Sequence, residues 1–167
     1  MIQKLKKGDS EAFGVLFDRY YDRVYRYCYR RMTDRELAQD MTQEVFLRVL
    51  KSIGSYRHYG KFENYLYVIA KNLIRDSYGK REILPIDDVE CAVEETGFAR
   101  IEQYMLFNGA LEKLPERERE ILLLRYDAEL KIKDIARIME MNLSTTKYHL
   151  KKGLQMMKEL ITEDDYT

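Results

Sequence analysis

The sequence has few of the side chains that cross-link a small protein or bind a metal. Its two cysteines, Cys28 and Cys91, form no CxxC pair, and neither lies near a cluster of histidines. This spacing argues against a disulfide framework and fits a reducing compartment. We also expect no metal ion and no other cofactor.

Long apolar runs are missing as well. No stretch approaches the roughly 18 apolar residues that a membrane-spanning helix needs, and residues 1–13 lack the apolar core of a secretory signal. We therefore expect a cytoplasmic protein with no membrane insertion of its own.

Motifs that carry catalysis are also absent. The sequence contains no HExxH, GxSxG or GxxxxGK[ST], and both histidines, His58 and His149, lie in basic segments. An enzyme is therefore not expected, and no catalytic residue is assigned.

Charge is balanced overall but unevenly distributed. The chain carries 29 basic and 29 acidic side chains, yet residues 1–80 have 16 basic against 10 acidic ones. Residues 81–99 have one against six, and residues 131–158 have seven against two. Because the local field governs the encounter with phosphate, the two basic patches predict a nucleic-acid partner.

Apolar residues recur at steps of three and four along most of the chain, and no strand pattern of convincing length appears. We therefore predict an all-α protein. The first helix has Asp9 or Ser10 as its N-cap, and a capping box that begins at Thr33 starts the second. The predicted helices cover about 10–31, 34–54, 61–78, 101–114, 115–126, 131–141 and 143–161.

Between the two groups of helices, residues 81–99 show no sustained period and a run of acidic side chains, which is typical of a linker. We predict two small helical domains, 1–80 and 100–167, joined by this acidic linker. The first is a three-helix bundle and the second a four-helix domain.

The second predicted helix has two distinct faces. Its outer face is acidic and amide-bearing with one apolar side chain, and it is either an ordinary solvated face or a docking surface. The outer residues are Asp40, Gln43, Glu44 and Leu47. The predicted buried stripe is Ala38, Met41, Val45, Phe46, Val49, Leu50 and Ile53.

The loop over residues 55–62 alternates aromatic rings with cations, a composition that suits stacking of unpaired bases beside a neutralised backbone. The third predicted helix leaves Tyr65, Asn72 and Arg75 on or near its outer face. Each tyrosine also fits an ordinary place at the edge of a core.

Two short helices near the C-terminus, joined at residues 141–144, fit a helix-turn-helix, whose second helix lies in the major groove. Ala136 and Gly153 are small residues at the predicted crossing, and a left-handed Asn142 is expected to end the first helix. Hydroxyl, amide and lysine groups can bond base edges and phosphates. The predicted exposed face is Ser144, Lys147, Tyr148, Lys151 and Gln155, flanked by Thr145 and Lys152.

These segments resemble a known family. DMTQEVFLRVLKSI (40–53) with KFENYLYVIAKNLIRD (61–76) resembles region 2 of the extracytoplasmic-function (ECF, group IV) sigma factors of bacterial RNA polymerase. ALEKLPEREREILLLRY (110–126) with LKIKDIARIMEMNLSTTKYHLKKGLQMMKEL (130–160) resembles region 4. Both occur in order around a short acidic linker, and the resemblance covers roughly residues 5–161.

The resemblance implies a sigma factor that binds core RNA polymerase, recognises minus-35 duplex DNA and captures melted minus-10 DNA. It also implies an anti-sigma factor as a partner and association with the nucleoid. The stretch that docks on the clamp coiled coil of the largest polymerase subunit is occupied by Asp40, Gln43, Glu44, Phe46 and Leu47. Of these, Phe46 fits the core better.

The resemblance further assigns two sets of DNA contacts. The minus-10 set is Tyr56, Arg57, Tyr59, Lys61, Tyr65, Lys71, Asn72 and Arg75. The minus-35 set is Ser144, Thr145, Lys147, Tyr148, Lys151 and Lys152.

The chain departs from the family at both DNA surfaces. The family often has tryptophan where this chain has Tyr65, which retains stacking but leaves the preferred base open. It also often has arginines near His149 and Lys152, and lysine lacks the bidentate fork that reads guanine.

The sequence also fits two other classes of protein. A helix-turn-helix repressor would bind duplex operator DNA on its own, and an adaptor would dock on polymerase without reading DNA. Neither needs the aromatic and basic loop, which favours the sigma factor.

Overall fold

The computed structural model describes residues 1–32, 34–57, 61–78 and 107–164, with side chains given as far as residue 162. All regular elements within these ranges are helices, which confirms the predicted all-α class. The chain divides into two compact units, Met1–Ile86 and Asp87–Thr167, so two domains are also confirmed. The predicted bounds 1–80 and 100–167 stay a prediction, and the linker 81–99 lies outside the described residues.

Unit 1 contains a short helix that the sequence did not predict, in addition to the three that it did. This extra helix precedes the Asp9 cap, where the five residues are too few for a periodic pattern. The described elements are α1 (Ile2–Lys6), α2 (Ser10–Met32), α3 (Arg35–Ser52), a 3₁₀ turn (Ile53–Ser55) and α4 (Phe62–Tyr78).

Aspartate side chains begin the two helices that follow α1. Asp9 Oδ1 accepts a hydrogen bond from the Ala12 amide at 3.0 Å, and Asp34 Oδ1 accepts one from the Leu37 amide at 2.8 Å. Each bond satisfies an amide that the first helical turn leaves unpaired. The cap of α3 is thus Asp34, and Thr33, the predicted start of the capping box, lies outside the described residues.

Aromatic side chains fill the space between α2, α3 and α4. Tyr27 and Tyr67 are fully buried and meet edge to face, with ring centroids 5.5 Å apart. Arg23 on α2 pairs with Glu63 on α4 at 2.7 Å. Phe46 on α3 is buried with its ring centroid 4.8 Å from that of Phe17. Phe46 is therefore a core residue, as the sequence favoured.

Unit 2 packs a long C-terminal helix on two shorter ones. Ile121, Leu124 and Ile135 are fully buried at its centre. The helix after Pro115 begins one residue later than predicted, at Glu116, and the next is shorter than the predicted 131–141. The described elements are α5 (residues 107–113), α6 (Glu116–Tyr126), α7 (Ile132–Ile138) and α8 (Leu143–Asp164).

The turn between α7 and α8 differs from the prediction. The left-handed residue is Glu140, with φ of 54°, rather than Asn142. Asn142 instead begins α8, because its Oδ1 accepts a hydrogen bond from the Thr145 amide at 2.8 Å. Asparagine suits either position, and here its side chain satisfies an N-terminal amide of α8.

Gly153 also packs differently from the prediction. A Cβ at this position would lie 3.2 Å from Glu118 Cβ and 3.3 Å from Leu122 Cδ1, both on α6. The small residue therefore allows close approach of α8 to α6, not a crossing with Ala136 on α7.

Candidate protein and nucleic-acid interfaces

The predicted docking face on α3 lies on the surface of unit 1. Asp40, Gln43 and Leu47 are exposed, and the Leu47 side chain is 47% exposed although it is apolar. Glu44 is half-buried and pairs with Arg48 one turn later at 3.3 Å. This exposed pair contributes little to stability, since surface ion pairs are worth about 0–1 kcal/mol. The face thus presents carboxylate and amide groups around an apolar side chain.

Leu50 belongs to this face and not to the core stripe in which the sequence placed it. It is 38% exposed, whereas Val49 and Ile53 beside it are buried. At 100° per residue Leu50 falls at the edge of the stripe, next to Gln43 and Leu47. Helical period alone does not decide on which side of such an edge a residue lies.

Tyr56 lies inside unit 1, which is the core position that the sequence left open for each tyrosine beside a stacking role. Its side chain is 7% exposed, and its ring centroid lies 4.6 Å from that of Tyr65 and 5.7 Å from that of Phe62. Lys6 Nζ donates to the Tyr56 carbonyl at 2.5 Å. Burial, with the nearby Tyr65 phenol, raises the pKa of the Tyr56 phenol.

The burial of Tyr56 has a local reason. The 3₁₀ turn Ile53–Ser55 redirects the chain towards α4, and Lys6 of the unpredicted helix α1 holds the backbone there. A role of Tyr56 on DNA stays a prediction. Lys6 is a cation at this surface that sequence reasoning missed.

The outer side of α4 carries a row of the predicted minus-10 residues. Tyr65, Asn72 and Arg75 follow one another at steps of seven and three, so they share one face of α4, and Lys61 immediately precedes this helix. The Tyr65 hydroxyl lies 2.5 Å from Ser52 Oγ, which fixes its ring at the surface end of the Tyr56 and Phe62 cluster. Within the predicted minus-10 set, Arg57, Lys61 and Arg75 are exposed, and Tyr65, Lys71 and Asn72 are half-buried. Tyr59 lies outside the described residues.

The outer side of α8 carries the predicted minus-35 residues. Tyr148 is 62% exposed, and its ring meets that of His149 edge to face at 5.2 Å. Thr146 on the opposite side is buried and donates to the Asn142 carbonyl at 2.9 Å. The steps of three and four along α8 predict that Leu154 is buried with Thr146, but Leu154 is exposed on this outer side. Of the predicted set, Ser144, Lys147, Tyr148, Lys151 and Lys152 are exposed, and Thr145 is half-buried.

Lys152 differs from Lys147 and Lys151 of the same set because it contacts a buried carboxylate. Glu118 on α6 is 3% exposed, and its Oε1 lies 3.2 Å from Lys152 Nζ and 2.9 Å from His149 Nδ1. Burial by itself would raise the pKa of the Glu118 carboxyl. The hydrogen bonds from His149 and Lys152 outweigh it and hold that pKa below its ordinary value.

The contacts of Glu118 could not be predicted from the periodicity of the sequence. The residue reads as an acid in the first turn of a helix, where the dipole favours a negative charge. Its partner His149 lies 31 residues away, and only the packing of α8 on α6 brings the two together.

Comparison with known families assigns both units. The Sigma-70 region 2 family matches residues 16–82, and the Sigma-70 region 4 family matches residues 104–157. Both matches fall where the sequence resembled these regions, and in the same order. The two units are therefore those of a sigma factor.

Individual relatives agree. SigM of Bacillus subtilis is 31% identical over 134 residues, which cover 76% of this chain and 81% of SigM. SigW of Bacillus subtilis is 28% identical over 97% of this chain and 95% of SigW. BldN of Streptomyces coelicolor is 29% identical over 98% of this chain, which spans 66% of BldN. The chain belongs to the ECF RNA polymerase sigma factors.

Solved structures show the same fold at low sequence identity. CnrH, solved in complex with the cytosolic domain of CnrY, has a TM-score of 0.79 and 18% identity, covering 98% of this chain and 96% of CnrH. The Bartonella quintana sigma factor RpoE was solved with the anti-sigma factor NepR. It has a TM-score of 0.74 and 15% identity, and the match covers 91% of this chain and 98% of RpoE.

Membership fixes the general function. ECF sigma factors are transcription initiation factors, not enzymes, and this chain binds RNA polymerase and supports promoter-directed transcription. Among the residues that the structure describes, no helix is long and apolar enough to cross a membrane.

Proposed function

We propose that this chain reads the minus-35 element as duplex DNA with α8 and captures melted minus-10 DNA on the outer side of α4. The observation that carries the proposal is the exposed row Ser144, Lys147, Tyr148 and Lys151, presented by a helix whose first turn is capped by Asn142. Side chains near the N-terminus of such a helix reach base edges in the major groove, and its amides suit phosphate.

Tyr65 is the ring that we propose for the minus-10 DNA, because it is half-buried at the surface whereas Tyr56 is in the core. A base stacked on one ring gains about 1–3 kcal/mol, which offsets part of the few kcal/mol needed to unstack it from the duplex. Arg75 on the same face of α4, and Lys61 just before this helix, would hold the backbone of the captured strand.

For the polymerase we propose the face of α3 that presents Asp40, Gln43, Leu47 and Leu50. Leu47 and Leu50 give an apolar centre one turn long, and the acidic rim suits a basic helix of the partner. An anti-sigma factor that covers this face is a further proposed partner. RpoE of Bartonella quintana was solved in complex with the anti-sigma factor NepR.

A comparison of intact duplex and forked DNA in a gel-shift experiment tests the proposal, with and without purified core polymerase. With polymerase, we expect stable binding to forked DNA and loss of that binding in Tyr65→Ala. Tyr126→Ala is the matched control, because Tyr126 is an exposed tyrosine on α6. Tight binding of intact duplex by the chain alone, with no effect of polymerase, would instead indicate a repressor.

A further inference from the structure

A single buried carboxylate joins α8 to the helix beneath it. Glu118 Oε1 contacts His149 Nδ1 at 2.9 Å and Lys152 Nζ at 3.2 Å, and a Cβ added at Gly153 would lie only 3.2 Å from Glu118 Cβ. One residue of α6 thereby contacts three positions of α8 within five residues. Such a contact fixes the rotation of α8 about its own axis.

The rotation decides which side chains face outward. At 100° per residue, Lys147 and Lys151 lie on the side of α8 opposite His149 and Gly153. They are exposed, as a DNA contact requires. If α8 turned by half a residue step, this row would move sideways by about 50°.

The same contact also lowers the positive charge that α8 presents to DNA, because the Glu118 carboxylate pairs with Lys152. Lys152 is exposed enough to reach solvent, yet its ammonium already has a carboxylate partner that is itself buried. An ammonium held by a carboxylate attracts phosphate less than the ammonium groups of Lys147 and Lys151 do. Breaking a buried pair from one side leaves the other charge uncompensated.

We propose that Glu118 is a positioning residue for DNA recognition. It fixes the rotation of α8 through His149 and Lys152, and it withholds Lys152 from phosphate, so that promoter DNA is favoured over other DNA. This inference rests on the proposed reading of minus-35 DNA by α8. It also removes Lys152 from the minus-35 contacts that the sequence suggested.

The test measures affinity of the holoenzyme for two DNA fragments. One is a promoter fragment that the wild-type holoenzyme transcribes, and the other is the same fragment with its minus-35 segment scrambled. In Glu118→Gln we expect the ratio of the two affinities to fall roughly tenfold, since a misaligned contact costs as much as a mismatched base pair. Binding of the scrambled fragment should strengthen, with a salt slope steeper by about 0.9, because Lys152 is released to a phosphate.

Two variants separate positioning from a general loss of structure. Glu112→Gln makes the same charge change at an exposed carboxylate of α5 and should leave the ratio unchanged. Lys152→Met should leave the salt slope of the promoter fragment unchanged. A slope lower by about 0.9 in Lys152→Met would show a direct phosphate contact and would overturn the withholding of Lys152.

Nuclear magnetic resonance of the full chain tests the pair itself. A carboxylate can only accept, so a neutral His149 must carry its proton on Nδ1. The chain has two histidines, and His58→Gln assigns the remaining ring signals to His149. A proton on Nε2 instead would overturn the proposal.

Failure of the proposed function and failure of the positioning role of Glu118 give different results in this test. If the wild-type holoenzyme does not discriminate between the two fragments, α8 does not read minus-35 DNA and both proposals fail. If wild type discriminates and Glu118→Gln does so equally, only the positioning role of Glu118 fails. Equal losses on both fragments in Glu118→Gln, with an unchanged slope, would also overturn it.

Discussion

The two DNA-facing surfaces proposed here are built differently. In unit 2 the outward row lies on one continuous helix, α8. Asn142 caps this helix, and Glu118 of α6 contacts its His149. In unit 1 the corresponding surface combines one face of α4 with the end of a loop, and the ring of Tyr56 is in the core. Under the proposed function, duplex DNA would be read from one continuous helix, whereas unpaired bases would be bound by a ring at the edge of a core.

The largest expected effect contrasts Tyr56 with Tyr148. Tyr56→Ala should destabilise unit 1 by about 3 kcal/mol, because it removes a buried ring. Tyr148→Ala should change stability by less than about 0.5 kcal/mol, because its ring is exposed. Amide hydrogen exchange, resolved along the chain, measures the stability of each unit separately.

Tyr56→Phe is the control, since it keeps the buried ring. Equal stability of the Ala variants at both positions would show that Tyr56 is not part of the core in solution. The contrast between the two surfaces would then disappear.

The next effect compares the helix caps of the two units. Asn142→Ala and Asp34→Ala should each cost about 1 kcal/mol, because each removes a side-chain acceptor from an N-terminal amide. Each loss should appear only in the unit that carries the change, again by hydrogen exchange. A loss spread over both units would contradict their description as separate folding units.

A smaller effect concerns the phosphate contacts. Lys151→Met should lower the salt slope of duplex binding by about 0.9, and Arg57→Gln should lower the slope on single-stranded DNA by about 0.7. The two slopes are measured by titrating holoenzyme at several salt concentrations. Lys133→Met, an exposed lysine of α7, is the control. If Lys151→Met affected only single-stranded DNA, the two surfaces would have been assigned the wrong way round.

The smallest effect is the dependence of unit 2 on pH. The pKa of Glu118 is lower in the folded chain than its ordinary value of 4.5. Its ionised form therefore stabilises the fold at neutral pH, and this contribution is lost as the pH falls below about 4.5 towards the folded-state pKa. Thermal unfolding against pH should show a steeper acid loss in wild type than in Glu118→Gln. Parallel profiles would mean that Glu118 has no ionic partner in solution.

The exposure of a residue could be predicted from the sequence where it depends only on the position of that residue around its own helix. The exposed side of α8 and three of the four residues predicted for the α3 face follow from steps of three and four, and they are exposed as expected. Leu50 and Leu154 were misplaced because residues at the edge of an apolar stripe can lie on either side of the surface. Period alone does not resolve such positions.

Contacts between helices were not predictable in this way. Tyr56 is buried because of α1 and a 3₁₀ turn, and Gly153 contacts α6 because of how α8 packs. Glu118 and His149 meet across 31 residues of sequence. These features depend on tertiary packing, on which a single sequence carries no periodic signal.

Transcription by core polymerase from matched intact and pre-melted promoters tests the central claim most directly. Tyr65→Ala should reduce initiation from the intact promoter by about tenfold, because the ring that captures an unstacked base is gone. Most of that loss should be recovered when the minus-10 segment is already open, since the cost of melting is removed. Equal losses on both templates, or none on either, would contradict capture of melted DNA by the outer side of α4.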